Sequence, residues 1–135
     1  MAIIQFNAKD ILMSTVLEGG KWYGCKVTAI AGPTVSNAGD SFNYVVDFTL
    51  DDKTDVPGKV VPGRYNSKMI GKMIPLVSAI RGAKVEPKSF ALDTDEILGK
   101  DVDVKMAVEI YEGNPKNEPA EFAPYGKGTD QKSPF

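Results

Sequence analysis

The run Lys21-Trp22-Tyr23-Gly24-Cys25-Lys26-Val27-Thr28-Ala29-Ile30 alternates with a period of two, the pattern of a strand with one buried face. Tyr23, Cys25, Val27 and Ala29 share one face; Trp22, Gly24, Lys26 and Thr28 share the other. A Gly/Asn/Ser-rich loop, Ser36-Asn37-Ala38-Gly39-Asp40, leads to a second run over residues 41–50. That run puts Phe42, Tyr44, Val46, Phe48 and Leu50 on one face and Asn43, Val45, Asp47 and Thr49 on the other. Residues 19–50 therefore predict a long hairpin whose aromatic and aliphatic face is buried, Phe42, Tyr44 and Phe48 included. The only tryptophan is left beside a lysine on the outer face. Gly32-Pro33 is expected to end the first strand.

Upstream, residues 1–18 read as an N-terminal leader in which 7–12 forms either a helical turn or a short strand. Downstream, residues 58–65 are a third strand candidate, and Pro62, which has no backbone donor, marks it as an edge or a bulge. The period then changes: Met69, Ile70, Met73, Ile74, Val77 and Ile80 fall on one helical stripe. Asn66 or Ser67 can cap its start, and Gly82 suits its end. Pro75 implies a kink or two short helices meeting. Asp93-Thr94-Asp95-Glu96, closed by Gly99, reads as one capped helical turn. Val102, Val104, Met106, Val108 and Ile110 then alternate with Asp101, Asp103, Lys105, Ala107 and Glu109 as a half-buried strand. Gly113 and Pro115 end it, and a short fifth strand is expected near residues 120–123.

Three strands, a helix, a turn and two strands predict an all-β domain with one main helix: a five-stranded, OB-fold-like antiparallel barrel with the helix between strands 3 and 4. The expected division is a leader at 1–18, the barrel domain at 19–125 and a flexible tail at 126–135. A chain of 135 residues supports one such domain. No apolar run approaches the roughly 18 residues that span a bilayer, and no signal-peptide pattern opens the chain. With the single cysteine, these features lead us to expect a cytoplasmic protein without a disulfide.

Chemistry is narrowed by what is missing. With no histidine and one cysteine, Cys/His zinc sites and Ser-His-Asp or Cys-His catalysis are impossible within one chain. No phosphate-binding Gly-x-x-x-x-Gly-Lys-Ser/Thr loop occurs. Asp51, Asp52 and Asp55 read as turn residues, and Asp101 and Asp103 as outward strand positions, so neither metal nor cofactor is expected. Cys25 reads as a small core residue. What remains is aromatic residues interleaved with bases. Single-stranded nucleic acid stacks its bases on aromatic rings while Lys and Arg follow the phosphates, each stacked base contributing about 1–3 kcal/mol. Lys21, Trp22 and Lys26 on the first strand fit this, as do Lys59, Arg64 and Tyr65 on the third and Lys105 and Tyr111 on the fourth. Lys68 and Lys72, four apart, share one helix flank. The net charge of −2 argues against a broadly basic surface and requires any groove to be local.

Gly19-Gly20-Lys21-Trp22-Tyr23, Gly39-Asp40-Ser41-Phe42, Pro57-Gly58-Lys59-Val60-Val61 and Glu96-Ile97-Leu98-Gly99-Lys100-Asp101-Val102 carry a likeness. Over roughly residues 17–125 the chain resembles phage-encoded single-stranded DNA-binding proteins of replication and recombination regions, which have an OB-fold. The resemblance implies a non-enzymatic, sequence-tolerant single-stranded DNA-binding protein acting in phage DNA replication, recombination and repair in the bacterial host's cytoplasm, possible as a homo-oligomer. The terminal Pro134-Phe135 is similar to the Pro-Phe ending with which bacterial single-stranded DNA-binding proteins recruit replication and repair enzymes. Here the preceding residues 126–133 hold one acid, Asp130, against Lys127 and Lys132. The rival expectations are a structural or protein-interaction β domain of a virion and, more remotely, a metal-dependent nuclease using Asp101 and Asp103.

Overall fold

The computed structural model describes residues 5, 7–86 and 93–128. Its elements in chain order are α1 (Ala8–Ser14), β1 (Trp22–Val35), β2 (Phe42–Leu50), β3 (Val60–Asn66), a 3-10 segment (Ser67–Met73), α2 (Ile74–Arg81), α3 (Thr94–Ile97), β4 (Asp101–Tyr111) and β5 (Asn114–Pro124). The strands form one five-stranded antiparallel sheet in the order β3-β2-β1-β4-β5. Among the described residues no ladder joins β3 to β5, so the predicted closed barrel is not seen. The sheet nevertheless curls: Phe48 of β2 meets Phe122 of β5 with ring centroids 5.5 Å apart.

The alternation read in the first hairpin holds as far as Val27. Tyr23, Cys25 and Val27 are buried, and they pair across the sheet with the buried β2 residues Phe48 and Leu50 and the β4 residues Val102 and Val104. A bulge then intervenes between Val27 and Ala29. The extra residue reverses the faces, so Ile30, opposite Val46, packs on the core and Ala29 is exposed. β1 also runs on to Val35 instead of ending at Gly32-Pro33; the register shift between Ala31 and Thr34 absorbs the proline. At Gly32, where φ is +115°, a Cβ would lie 2.5 Å from the Asn43 carbonyl oxygen. The hairpin thus projects beyond the body, which leaves Phe42 48% exposed instead of in the core. Tyr44 is partly buried against the core, across from Tyr65.

The end of the 3-10 segment and α2 supply the other side of the core. Met73, Leu76, Val77 and Ala79 are buried, whereas Met69, expected on the same stripe, is 55% exposed; the side chain of Ile70 lies outside the described part. The reason is a break: Met69 has non-helical torsions, and the two short helical pieces meet at Ile74. Pro75 sits in the first turn of α2, where its missing N–H costs nothing. Asn66 caps the 3-10 segment through the Lys68 N–H, and Gly82, at φ 71°, closes α2. Arg81 makes a two-pronged ion pair with Glu96, tying α2 to α3.

The described part of the leader is built into the body, through Leu17 and the Lys59 contacts to Leu12 and Met13. Asn7 caps α1 by accepting from the Asp10 N–H at 2.7 Å. The buried Asn117 of β5 accepts from the Leu17 N–H at 2.7 Å and donates to the Leu17 carbonyl at 3.1 Å. β5 is also longer than expected, eleven residues holding Pro115, Pro119 and Pro124. An edge strand tolerates them because its outer side needs no donors. Glu112 and Gly113, both at positive φ, form the tight β4–β5 turn.

Candidate nucleic-acid interface

Trp22, Gly24 and Lys26 occupy the outer face of β1, directly opposite Lys105, Asp103 and Asp101 of β4. Trp22 is half-buried, and its cover comes from Gly128. A Cβ built on Gly128 would lie 2.5 Å from Trp22 Cε3 and 3.0 Å from Asp103 Cβ, so the glycine backbone rests on the indole and on Asp103. Asp103 is consequently fully buried although its strand position points outward. Next to it, the Asp51 carboxylate and the Tyr125 ring fill the space over Gly24, where a Cβ would meet them at 2.5 and 3.1 Å. The Tyr125 hydroxyl donates to Asp51 Oδ2 at 2.5 Å, and that carboxylate pushes the Tyr125 phenol up to about 12.

These groups line a cleft of ≈ 560 Å³ that includes Lys21, Trp22, Asp51, Lys53, Asp55 and Tyr125. Its two lysines are each parked on a ring: Lys21 Nζ is 5.3 Å from the Tyr23 centroid and Lys53 Nζ 5.4 Å from that of Tyr125. Three carboxylates and two ammonium groups line it, so the local charge is mixed. Of the expected residues, Trp22 and the exposed Lys26 share this face, and Lys21 joins Trp22 in the cleft.

The other expected residues are scattered. Arg64, Tyr65 and Lys72 line a second cleft of ≈ 410 Å³ at the seam between β3 and β5, together with Glu118 and Phe122. Arg64 and Lys72 are exposed there, but Tyr65 is 9% exposed and belongs to the core. Burial raises its phenol, and it cannot serve as a stacking platform. Lys59 is 6% exposed; its ammonium donates to the Met13 carbonyl at 2.9 Å and the Leu12 carbonyl at 3.4 Å. It caps the C-terminal end of α1, and burial lowers its pKa; it is not available to a phosphate. Lys68 is ion-paired with Asp40, and Lys105 with Glu121 at 3.1 Å. Tyr111 is 65% exposed at the β4–β5 turn, with Lys116 Nζ 5.7 Å from its centroid. Pro134 and Phe135 lie outside the described residues.

Sequence reasoning missed Lys53, Tyr125 and the role of Asp51. Their only sequence signal is composition, an aspartate turn and a tyrosine near the terminus, and tertiary folding alone brings positions 51 and 125 together. Cys25 is fully buried, its thiol pKa pushed up by desolvation, which suits a core residue and not a nucleophile. No protein-family model and no curated protein matches this chain.

Proposed function

We propose that this chain is a non-enzymatic, sequence-tolerant single-stranded DNA-binding protein of OB type, acting in phage DNA replication and recombination. The observation that carries the reading is the outer face of β1, where a tryptophan shares its face with Lys26 and lines a cleft together with Lys21 and Lys53. Bases stack on the exposed part of Trp22 while these lysines, with Arg64 and Lys72 at the β3–β5 seam, neutralise phosphates. The strand order β3-β2-β1-β4-β5, with the helical segments between β3 and β4, supports the OB reading, in which a third and a fifth strand would meet to close the sheet. The edge strands also approach each other, with Cα atoms of β3 and β5 within 8 Å. The resemblance of residues 17–125 to phage single-stranded DNA-binding proteins points the same way. A second reading, a protein-interaction domain that could self-associate, is favoured by the exposed Val108 and Ile110 on the β4–β5 hairpin and by the net charge of −2.

Titration of the full chain with a mixed-sequence single-stranded oligonucleotide, followed by the emission of its only tryptophan, separates the two. Quenching at low salt that weakens at high salt supports the DNA reading. Unchanged emission together with no mobility shift at low salt would refute it and leave the interaction domain.

A further inference from the structure

The cleft beside Trp22 has a chemical bias that a purely sequence-tolerant surface would lack. On the wall formed by residues 51–55 and Tyr125, both hydroxyls and the Lys53 backbone N–H are already committed as donors. The Tyr125 hydroxyl and the Lys53 backbone N–H donate to the two Asp51 carboxylate oxygens, at 2.5 and 3.1 Å, and the Thr54 hydroxyl donates to the Asp51 carbonyl at 2.8 Å. The acceptors are not used up. An ionised carboxylate offers about four lone-pair sites, and the two bonds to Asp51 occupy half of them. Asp55 is exposed on the same wall and adds a second carboxylate. At ≈ 560 Å³ the cleft has the size of a small-ligand site and can admit a nucleobase edge-on beside the indole. Lys21 and Lys53 supply cations for the adjoining phosphates.

We propose that this cleft receives one base next to Trp22 and favours bases whose exposed edge donates hydrogen bonds, cytosine above thymine, with Asp51 and Asp55 as the acceptors. The inference deepens the single-strand-binding reading and rests on it. Cytosine presents its N4 amine to a carboxylate, as adenine presents N6 and guanine N1 and N2. Thymine has one N–H, at N3, between two carbonyls that would face the carboxylates and be repelled. The mixed charge of the site thus becomes a filter: the lysines bind any strand, and the aspartates sort the base.

The test compares oligo-dC with oligo-dT of equal length on the full chain at neutral pH and low salt, read by Trp22 emission. One well-placed carboxylate contact should favour oligo-dC by roughly fivefold or more in Kd. In Asp51→Asn and Asp55→Asn an amide can donate to thymine O4, so the ratio should fall to about twofold or less in at least one of them. Asp55→Asn covers the case in which losing the Asp51 charge loosens Tyr125, since Asp55 is exposed and its side chain makes no hydrogen bond among the described residues. Quenching by both oligonucleotides with equal affinity would overturn the preference while leaving single-strand binding in place. An oligo-dC preference unchanged in both variants would overturn the role of the aspartates. Failure of both oligonucleotides to bind would remove the reading beneath the proposal.

Discussion

Replacing Gly128 by alanine tests whether Trp22 sits as described, on an outer face covered by the turn at residues 125–128. The new methyl would lie 2.5 Å from Trp22 Cε3 and 2.7 Å from Cδ2, against an optimal carbon–carbon separation of about 3.5–4.0 Å. One partner must retreat by roughly 1 Å or more. Trp22 is held in the β1–β4 ladder opposite Lys105, whereas residues 125–128 form a turn held by the Tyr125–Asp51 hydrogen bond and a Lys127 N–H to the Pro124 carbonyl at 2.8 Å. The turn therefore lifts. The loss is bounded by what the turn contributes: overpacking costs about 1–3 kcal/mol, and a hydrogen bond to a charged group about 1.5–3 kcal/mol before screening. We expect Gly128→Ala to destabilise by about 1–2 kcal/mol, a fall in Tm of roughly 3–8 °C for a domain of this size. Trp22 emission should shift to the red and become more open to acrylamide, because the indole gains water. An unchanged emission maximum with an unchanged Tm would refute the placement of Gly128 on the indole, and with it the account of why Asp103 is buried.

Further outcomes can be measured on the same fold. Trp22→Ala should weaken single-strand binding by about 1–3 kcal/mol, the worth of one stacked base, while costing less stability than the roughly 3–5 kcal/mol of a core tryptophan; thermal melts and anisotropy of a labelled strand give both numbers. Arg64→Gln and Lys72→Gln should each reduce the salt slope of binding by about 0.7, whereas Lys68→Gln and Lys105→Gln, whose ammonium groups are engaged by Asp40 and Glu121, should change it less. Lys59→Met should lower stability by about 1–2 kcal/mol through the released α1 carbonyls and leave the salt slope alone; a slope reduced as in Arg64→Gln would return Lys59 to the interface. Alkaline pH should destabilise the protein. Cys25 and Tyr65 have raised folded values from burial, and Tyr125 from Asp51. The folded chain therefore keeps protons that the unfolded chain releases, and stability that is full below the ordinary thiol value of 9.0 falls as pH rises above it. Denaturant melts across this range check the sign, and Cys25→Ala should flatten part of the fall.

Alternation and turn chemistry are local properties, and the chain alone makes them legible. The pairing of β1 with β2, the buried Tyr23-Cys25-Val27 face, the edge position of β3 and the capped turn ahead of β4 all follow from period, proline and glycine. Among the local readings that fail, the faces of β1 beyond Val27 and the length of β5 do so for tertiary reasons. The bulge after Val27 depends on how β2 fits against β1, so no pattern within β1 predicts that Ile30 replaces Ala29 in the core. β5 is hidden because its prolines read as breakers, and only its place at the sheet edge makes them tolerable.

The division is sharper for the candidate site. Sequence by itself determined which chemistry the chain can hold: no histidine, one cysteine, and a lone tryptophan set among lysines on a strand. Tertiary structure decided which of those lysines could meet a ligand, since pairing and burial are properties of neighbours. It moved Lys59 to the end of α1 and Tyr65 into the core, and it set Lys68 and Lys105 against carboxylates. It also brought Asp51, Tyr125 and Gly128 onto the face of Trp22 from positions far apart in the chain. A residue's type fixes the bonds it can make, but only the fold settles which partner lies within reach.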